Sequence, residues 1–143
     1  MTTTTNINLP HVVTEVAAAF AAYEKALADN YTYLINALVW EGPQTIRYGL
    51  DDVQHGRDQI RKLHANNHPI GARVMATTTT ITTFGYDYAT VNREFTFDNS
   101  SHHGRKTVVW ARVGPDSQPE AGLHSGWRIV ASHDSVISRR SAF

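Results

Sequence analysis

The segment Trp40-Glu41-Gly42-Pro43-Gln44-Thr45-Ile46-Arg47-Tyr48-Gly49 places an arginine between apolar neighbours on a short extended stretch. The planar guanidinium of Arg47 suits bidentate capture of a carboxylate. Upstream, Tyr23 falls within an apolar stripe of helical spacing. A phenol keeps its proton at neutral pH, because its free pKa is about 10, and so it can donate. An arginine and a phenol in one apolar enclosure make a site for a carboxylate or carbamate. Each residue also has a plain structural role open to it. Tyr23 can be a core aromatic whose hydroxyl reaches a backbone carbonyl. Arg47 can be a solvent-facing residue of an edge strand, on the side opposite Ile46 and Tyr48.

In the chemical reading, Arg47 binds an N-carboxylate. Loss of carbon dioxide from it leaves negative charge on nitrogen, and Tyr23, or a water it holds, supplies the proton. No metal or organic cofactor is required. Further candidates surround this pair. His133 alternates with Trp127, Ile129, Ala131 and Ser135, which puts His133 and Ser135 on the apolar face of the last strand. There His133 either satisfies a core hydrogen bond or orients a substrate. Glu94 alternates with Asn92 and Thr96, and is either a general base or a solvated carboxylate on the convex face. Trp40, Tyr48 and Trp110 either line the cavity or pack in the core.

No metal site is read from the histidines. His64 and His68 are four apart near a helix end, but Pro69 follows and no third ligand is evident. His102-His103 falls in a polar loop. No G-x-G-x-x-G, P-loop, G-x-S-x-G or H-E-x-x-H pattern occurs.

The 143 residues suit one domain with a single core. Lys+Arg and Asp+Glu are both 13, which removes the basic excess that a general nucleic-acid or anionic-membrane binder needs. There are no cysteines, so disulfides, thiolate nucleophiles and thiolate metal sites are excluded. No apolar run approaches the roughly 20 residues of a membrane span. The N-terminus lacks a signal-peptide pattern, and a cytoplasmic protein is expected.

The elements that must position these residues follow from periodicity. Val13, Val16, Phe20, Tyr23 and Leu27 mark one face of a helix over 10–29. A shorter helix is expected over 30–39, ended by Gly42-Pro43, and a third from about Arg57 to Asn66 with Ile60 and Leu63 in the core. Strands are expected over 45–50, 72–84, 88–97, 105–113 and 127–137, with polar loops at 98–104 and 114–125. Residues 1–8 and 138–143 read as tails around a single domain over 9–137. The result is an α+β fold, three N-terminal helices on a curved, mainly antiparallel sheet. A homodimer packed through the exposed side of that sheet is expected.

Several blocks carry a resemblance. They are Leu9-Pro10 with Phe20-Ala21-Ala22-Tyr23-Glu24-Lys25-Ala26-Leu27, then Trp40, Pro43, Thr45, Arg47-Tyr48-Gly49 and Gly56-Arg57-Asp58-Gln59-Ile60-Arg61. Thr90, Asn92, Glu94-Phe95, Gly104-Arg105, Trp110 and Gly126-Trp127-Arg128-Ile129-Val130-Ala131-Ser132-His133 complete them. Together they resemble the SnoaL-like families of the nuclear transport factor 2-like superfamily, and within them the AtzH-like family, whose oxalurate-linked members are called HpxZ. The resemblance implies a cone-shaped fold with a pocket between helices and sheet. It also implies association with amidases of cyanuric-acid and oxalurate catabolism. For the cyanuric-acid branch it implies decarboxylation of 1,3-dicarboxyurea to allophanate, with a tyrosine and an arginine that match Tyr23 and Arg47.

Three functions fit these residues. One is a cofactor-free lyase acting on a small N-carboxylated urea or amide. Another is a non-catalytic accessory or small-molecule-binding protein of an amidase pathway. The third is an isomerase or cyclase of the ketosteroid-isomerase type, for which Glu94 is the available base.

Overall fold

A computed structural model describes residues 6–66, 74–97, 102–114 and 122–138. The chain begins with helix α1 (Pro10–Asp29), followed by α2 (Thr32–Leu38). Two short strands, β1 (Ile46–Tyr48) and β2 (Val53–His55), precede α3 (Arg57–Asn66). Four long strands come next: β3 (Val74–Phe84), β4 (Tyr88–Phe97), β5 (His102–Arg112) and β6 (Trp127–Ser138). They form one sheet in the order β2-β1-β6-β5-β4-β3. All neighbours are antiparallel except β1 and β6, which run parallel.

The local causes are visible in the sequence. Pro10 starts α1, where its missing N–H costs nothing. Asn30 ends it in the left-handed region at φ 52°, its N–H reaching the carbonyls of Ala26 and Leu27. The alanines let α1 lie close against the sheet. Its buried residues are Val12, Val16, Ala19, Phe20, Tyr23 and Ala26, whereas Val13 and Leu27 are half-buried. They meet Ala89, Val91, Val108, Trp110, Trp127 and Ile129 from the sheet in one core. At the far end of that core, Glu15 accepts hydrogen bonds from Trp127 Nε1 at 3.0 Å and from Arg112 Nη2 at 2.6 Å.

Some expectations change. Strand β2 was not anticipated; it pairs with β1 through Arg47 opposite Gln54. β5 starts at His102, so His102-His103 is strand and not loop. Residues 6–8, expected in a tail, are tied to β3: Ile7 bridges to Phe84, and Asn8 Oδ1 accepts from Thr83 N at 2.9 Å. Most of the loop expected over 114–125 lies outside the described residues; a 3₁₀ turn, Leu123–Gly126, leads into β6. The expected tail over 138–143 also lies outside them, apart from Ser138.

One irregularity decides which residues of β6 face the helices. Val109 pairs with Ala131 but Trp110 pairs with Ile129, so Val130 is an extra residue on β6. Such a bulge reverses the alternation of side chains beyond it. Ile129 faces the helix side; past the bulge, so do Ser132 and Asp134.

Gly104 lies opposite Phe95 across β4 and β5, and a Cβ there would overlap the Phe95 ring. Gly104→Ala is therefore expected to lower unfolding stability by about 1–3 kcal/mol, since the added methyl displaces a ring that is buried in the fold. Denaturant unfolding of the variant beside the wild type checks this; equal midpoints would contradict it.

Candidate active site

The helix-facing side of the sheet is apolar around α1 and then becomes charged. In register, Arg93 on β4 pairs with Lys106 on β5, and Lys106 pairs with Asp134 on β6. Directly paired residues share a face, so these three form a row across the sheet. Arg47 on β1 pairs with Ser132, two residues from Asp134, and joins the same face. Glu24 of α1 bridges the two cations of the row. Its Oε2 accepts from Lys106 Nζ at 2.8 Å and its Oε1 from Arg93 Nη1 at 3.1 Å.

This charged end walls a cavity of about 790 Å³, within the range of small-molecule sites. Its charged lining is Glu24, Lys25, Arg47, Asp51, Asp52, Arg93, Lys106 and Asp134, and residues such as Leu27, Phe95 and Phe97 give its apolar surface. Tyr23 is not a lining residue. It lies buried against one, with Lys106 Nζ 5.8 Å from its ring centre and Trp110 packed edge-on at 6.2 Å.

The charges inside are unequally satisfied. Arg47 Nη1 donates to Asp52 Oδ1 at 2.6 Å and to Gln54 Oε1 at 2.8 Å. Its Nη2 makes no hydrogen bond among the described residues and lies 4.0 Å from Asp134 Oδ2. Asp134 likewise has no hydrogen-bond partner among the described residues, although its side chain is only 24% exposed. Burial raises its carboxyl above the ordinary aspartate range; Lys106 and Arg47 oppose that rise and Glu24 adds to it. Burial also raises the Tyr23 phenol, against the pull of Lys106, so Tyr23 is a protonated donor at neutral pH. For Lys106, burial favours the neutral amine, but the Glu24 and Asp134 carboxylates oppose it and the ammonium is held.

His64 stands behind this site. It is 4% exposed, and its Nε2 has no partner among the described residues. Burial, with the Arg47 and Lys106 charges, pushes its pKa down to about 4. Its imidazole is neutral at physiological pH. Among the described residues no group of three or more histidines or carboxylates could hold a metal ion.

The residues expected from the sequence divide accordingly. Tyr23 and Arg47 come to the same end of the helix-facing side, and the Arg47 charge acts on the phenol. Trp110 is fully buried in the core, its indole Nε1 without a partner among the described residues. Trp40 is half-buried, lies over Gly42 and is not part of the cavity wall. Tyr48, Glu94, His133 and Ser135 are on the outer face. Tyr48 follows Arg47 on a strand and so points away from it; it meets the His133 ring edge-on at 5.3 Å. Ser135 accepts from Arg105 Nε at 3.0 Å, and Glu94 is exposed opposite Arg105. The expectation that His133 and Ser135 share the apolar face of Trp127 is corrected by the Val130 bulge, which turns Asp134 inward instead.

The sequence reading missed Glu24, Arg93, Lys106 and Asp134, and weighed His64 only as a metal ligand. Two signals were available. Arg93 interrupts an otherwise apolar alternation of Ala89, Val91 and Phe95, and His64 is four residues from the core residue Ile60.

A histidine held neutral in the fold and ordinary when unfolded makes stability pH-dependent. The unfolded chain binds the proton first, so this contribution is complete above about pH 6.5 and lost as pH falls toward 4. The loss amounts to on the order of 3 kcal/mol. Replacing His64 with Leu should flatten that part of the profile, as read by denaturant unfolding at a series of pH values. An unchanged slope would contradict the assignment.

The fold and the sequence place the chain among known proteins. A cystatin-like fold protein from Burkholderia xenovorans is 41% identical, with a TM-score of 0.81 over 94% of this chain and 98% of that one. A protein of unknown function from the DUF3225 family of Pectobacterium atrosepticum is 34% identical, with a TM-score of 0.84 over 96% and 100%. A putative ketosteroid isomerase from Parabacteroides distasonis shares the fold at 15% identity and a TM-score of 0.58, over 82% of this chain and 84% of that one. No curated protein matches the chain. The AtzH-like family model matches residues 5–140, nearly the whole sequence, and the chain belongs to the AtzH-like family.

Proposed function

We propose that this protein is a cofactor-free lyase that removes carbon dioxide from a small N-carboxylated urea or amide, of the 1,3-dicarboxyurea to allophanate type. The observation that carries the reading is Arg47. Its Nη1 is fixed by Asp52 and Gln54, while its Nη2 is left for a ligand on the wall of a cavity that also holds Lys106. An anchored guanidinium with one free edge is a pre-organised carboxylate receptor. Lys106, kept charged by Glu24, provides a second cation on the same wall for a substrate with two anionic groups.

In the reaction the carbon–nitrogen bond of the carbamate breaks, its electron pair stays on nitrogen, and a proton must arrive there. Apolar walls favour loss of the carboxylate charge as neutral carbon dioxide. Tyr23, protonated and buried behind the cavity wall, holds its ring face 5.8 Å from the Lys106 ammonium, and its hydroxyl is the donor assigned to the substrate. Glu94 on the outer face is out of reach of the cavity, which leaves the isomerase reading without its proposed base.

Carbon-dioxide release from freshly generated 1,3-dicarboxyurea tests this. The wild type should accelerate it. Arg47→Ala should lose about a hundredfold or more, as expected when a positioning contact is removed. Tyr23→Phe should lose roughly tenfold, the worth of one hydrogen bond. No acceleration by the wild type would favour a binding or accessory protein of an amidase pathway, and an undiminished Tyr23→Phe rate would remove Tyr23 from its role.

A further inference from the structure

Asp134 is the one carboxyl group of the row with no hydrogen bond among the described residues. The cations beside it are engaged elsewhere: Lys106 with Glu24 at 2.8 Å, and Arg47 Nη1 with Asp52 at 2.6 Å. A purely structural aspartate in this position would take one of those hydrogen bonds, because partly buried carboxylates are stabilised by pairing. Asp134 instead lines the cavity, 4.0 Å from the free edge of Arg47.

The groups acting on it come from every side. Arg47 on β1 and Lys106 on β5 favour its charge, as does His133 beside it on β6; Glu24 on α1 opposes it. Tyr23 on α1 is near enough for the two groups to influence each other. Arg93 on β4 is held by Glu24. Burial already favours the acid form, and any further negative charge acts in the same direction. A substrate carboxylate seated on Arg47 adds a negative charge beside Asp134 and draws on the same cation, and both effects favour the protonated acid.

We propose that Asp134 is the proton carrier of the cavity: it takes up a proton as an anionic substrate binds on Arg47 and delivers it to the nitrogen that carbon dioxide leaves. The step balances. The carbon–nitrogen bond breaks and its electron pair remains on nitrogen. The Asp134 carboxyl proton passes to that nitrogen, carbon dioxide departs, and Asp134 is left as carboxylate to be recharged from water when the next substrate binds. The catalytic half of this inference rests on the lyase reading, whereas the proton uptake does not.

Calorimetric titration with oxamate separates the two. Oxamate carries a carboxylate beside an amide, has no N-carboxyl group to lose, and is itself fully ionised over the range used. Titrations in buffers of different ionisation enthalpy, over roughly pH 5 to 7, count protons exchanged on binding. The expected result is uptake of roughly half to one proton per oxamate bound at the most sensitive pH, absent from Asp134→Asn with binding retained. Binding without proton exchange, equal uptake by the variant, or no binding of oxamate would each overturn the proposal. With 1,3-dicarboxyurea, Asp134→Asn should lose about 10²–10⁴ in kcat with little change in KM, and should lose the fall in rate toward alkaline pH. Proton uptake without any carbon-dioxide release would leave Asp134 as the proton carrier and remove the lyase reading. Release at an undiminished rate by Asp134→Asn would do the reverse.

Discussion

The bridge from Glu24 to Lys106 and Arg93 is the contact on which the site depends. Both cations project from the sheet face that otherwise packs against α1, where an unpaired charge would be costly. One carboxylate from the helix satisfies both, at 2.8 and 3.1 Å. The arrangement pins the C-terminal half of α1 over β4 and β5, keeps Lys106 charged against its own burial, and lays that charge along the Tyr23 ring. Arg93 adds a second anchor to the same helix, lying 4.7 Å over the Phe20 ring. The cavity end of the core is thus held by the charges around Glu24, and its far end by Glu15 with Arg112 and Trp127.

With Glu24 committed to those cations, the rest of the polar wall divides the remaining work. Arg47 is fixed on one side by β2 and the turn before it, through Gln54 and Asp52, and is open on the other. Asp134 has neither cation to itself. His64 and Tyr23, both buried, stay neutral and surround the ionic groups with weakly polar neighbours. A cavity made this way keeps Lys106 and Arg93 paired with Glu24 and leaves one edge of Arg47 open to an incoming anion. That is the electrostatic preorganisation expected of a site acting on a small carboxylate.

Most of the fold was legible because long, strongly periodic segments dictate it. The α1 stripe from Val16 to Tyr23, the Arg57–Asn66 helix and the Tyr88–Phe97 strand could be read from spacing alone. The short strand β2 could not, since three residues, Val53–His55, carry too little pattern. Nor could the inner face of β6. Alternation from Trp127 leads to His133 and Ser135, and only the extra residue Val130 makes Asp134 the inward group. Nothing in the Ile129-Val130-Ala131-Ser132 sequence announces that a residue is unpaired; the partner strand decides it. Tyr23 and Arg47 were readable from type and setting. Glu24, Lys106 and Arg93 emerge as a group only when three elements distant in sequence are brought into register.

The central claim is that a substrate carboxylate is received on the helix-facing side by the free edge of Arg47, with Lys106 as the second cation. A crystal structure of the protein with oxalate, which carries two carboxylates and does not react, tests it most directly. The expected result is one carboxylate within hydrogen-bond distance of Arg47 Nη2 and the anion inside the cavity that Asp134 and Lys106 line. An anion bound instead at Arg105 on the outer face, with Arg47 unchanged, would contradict it.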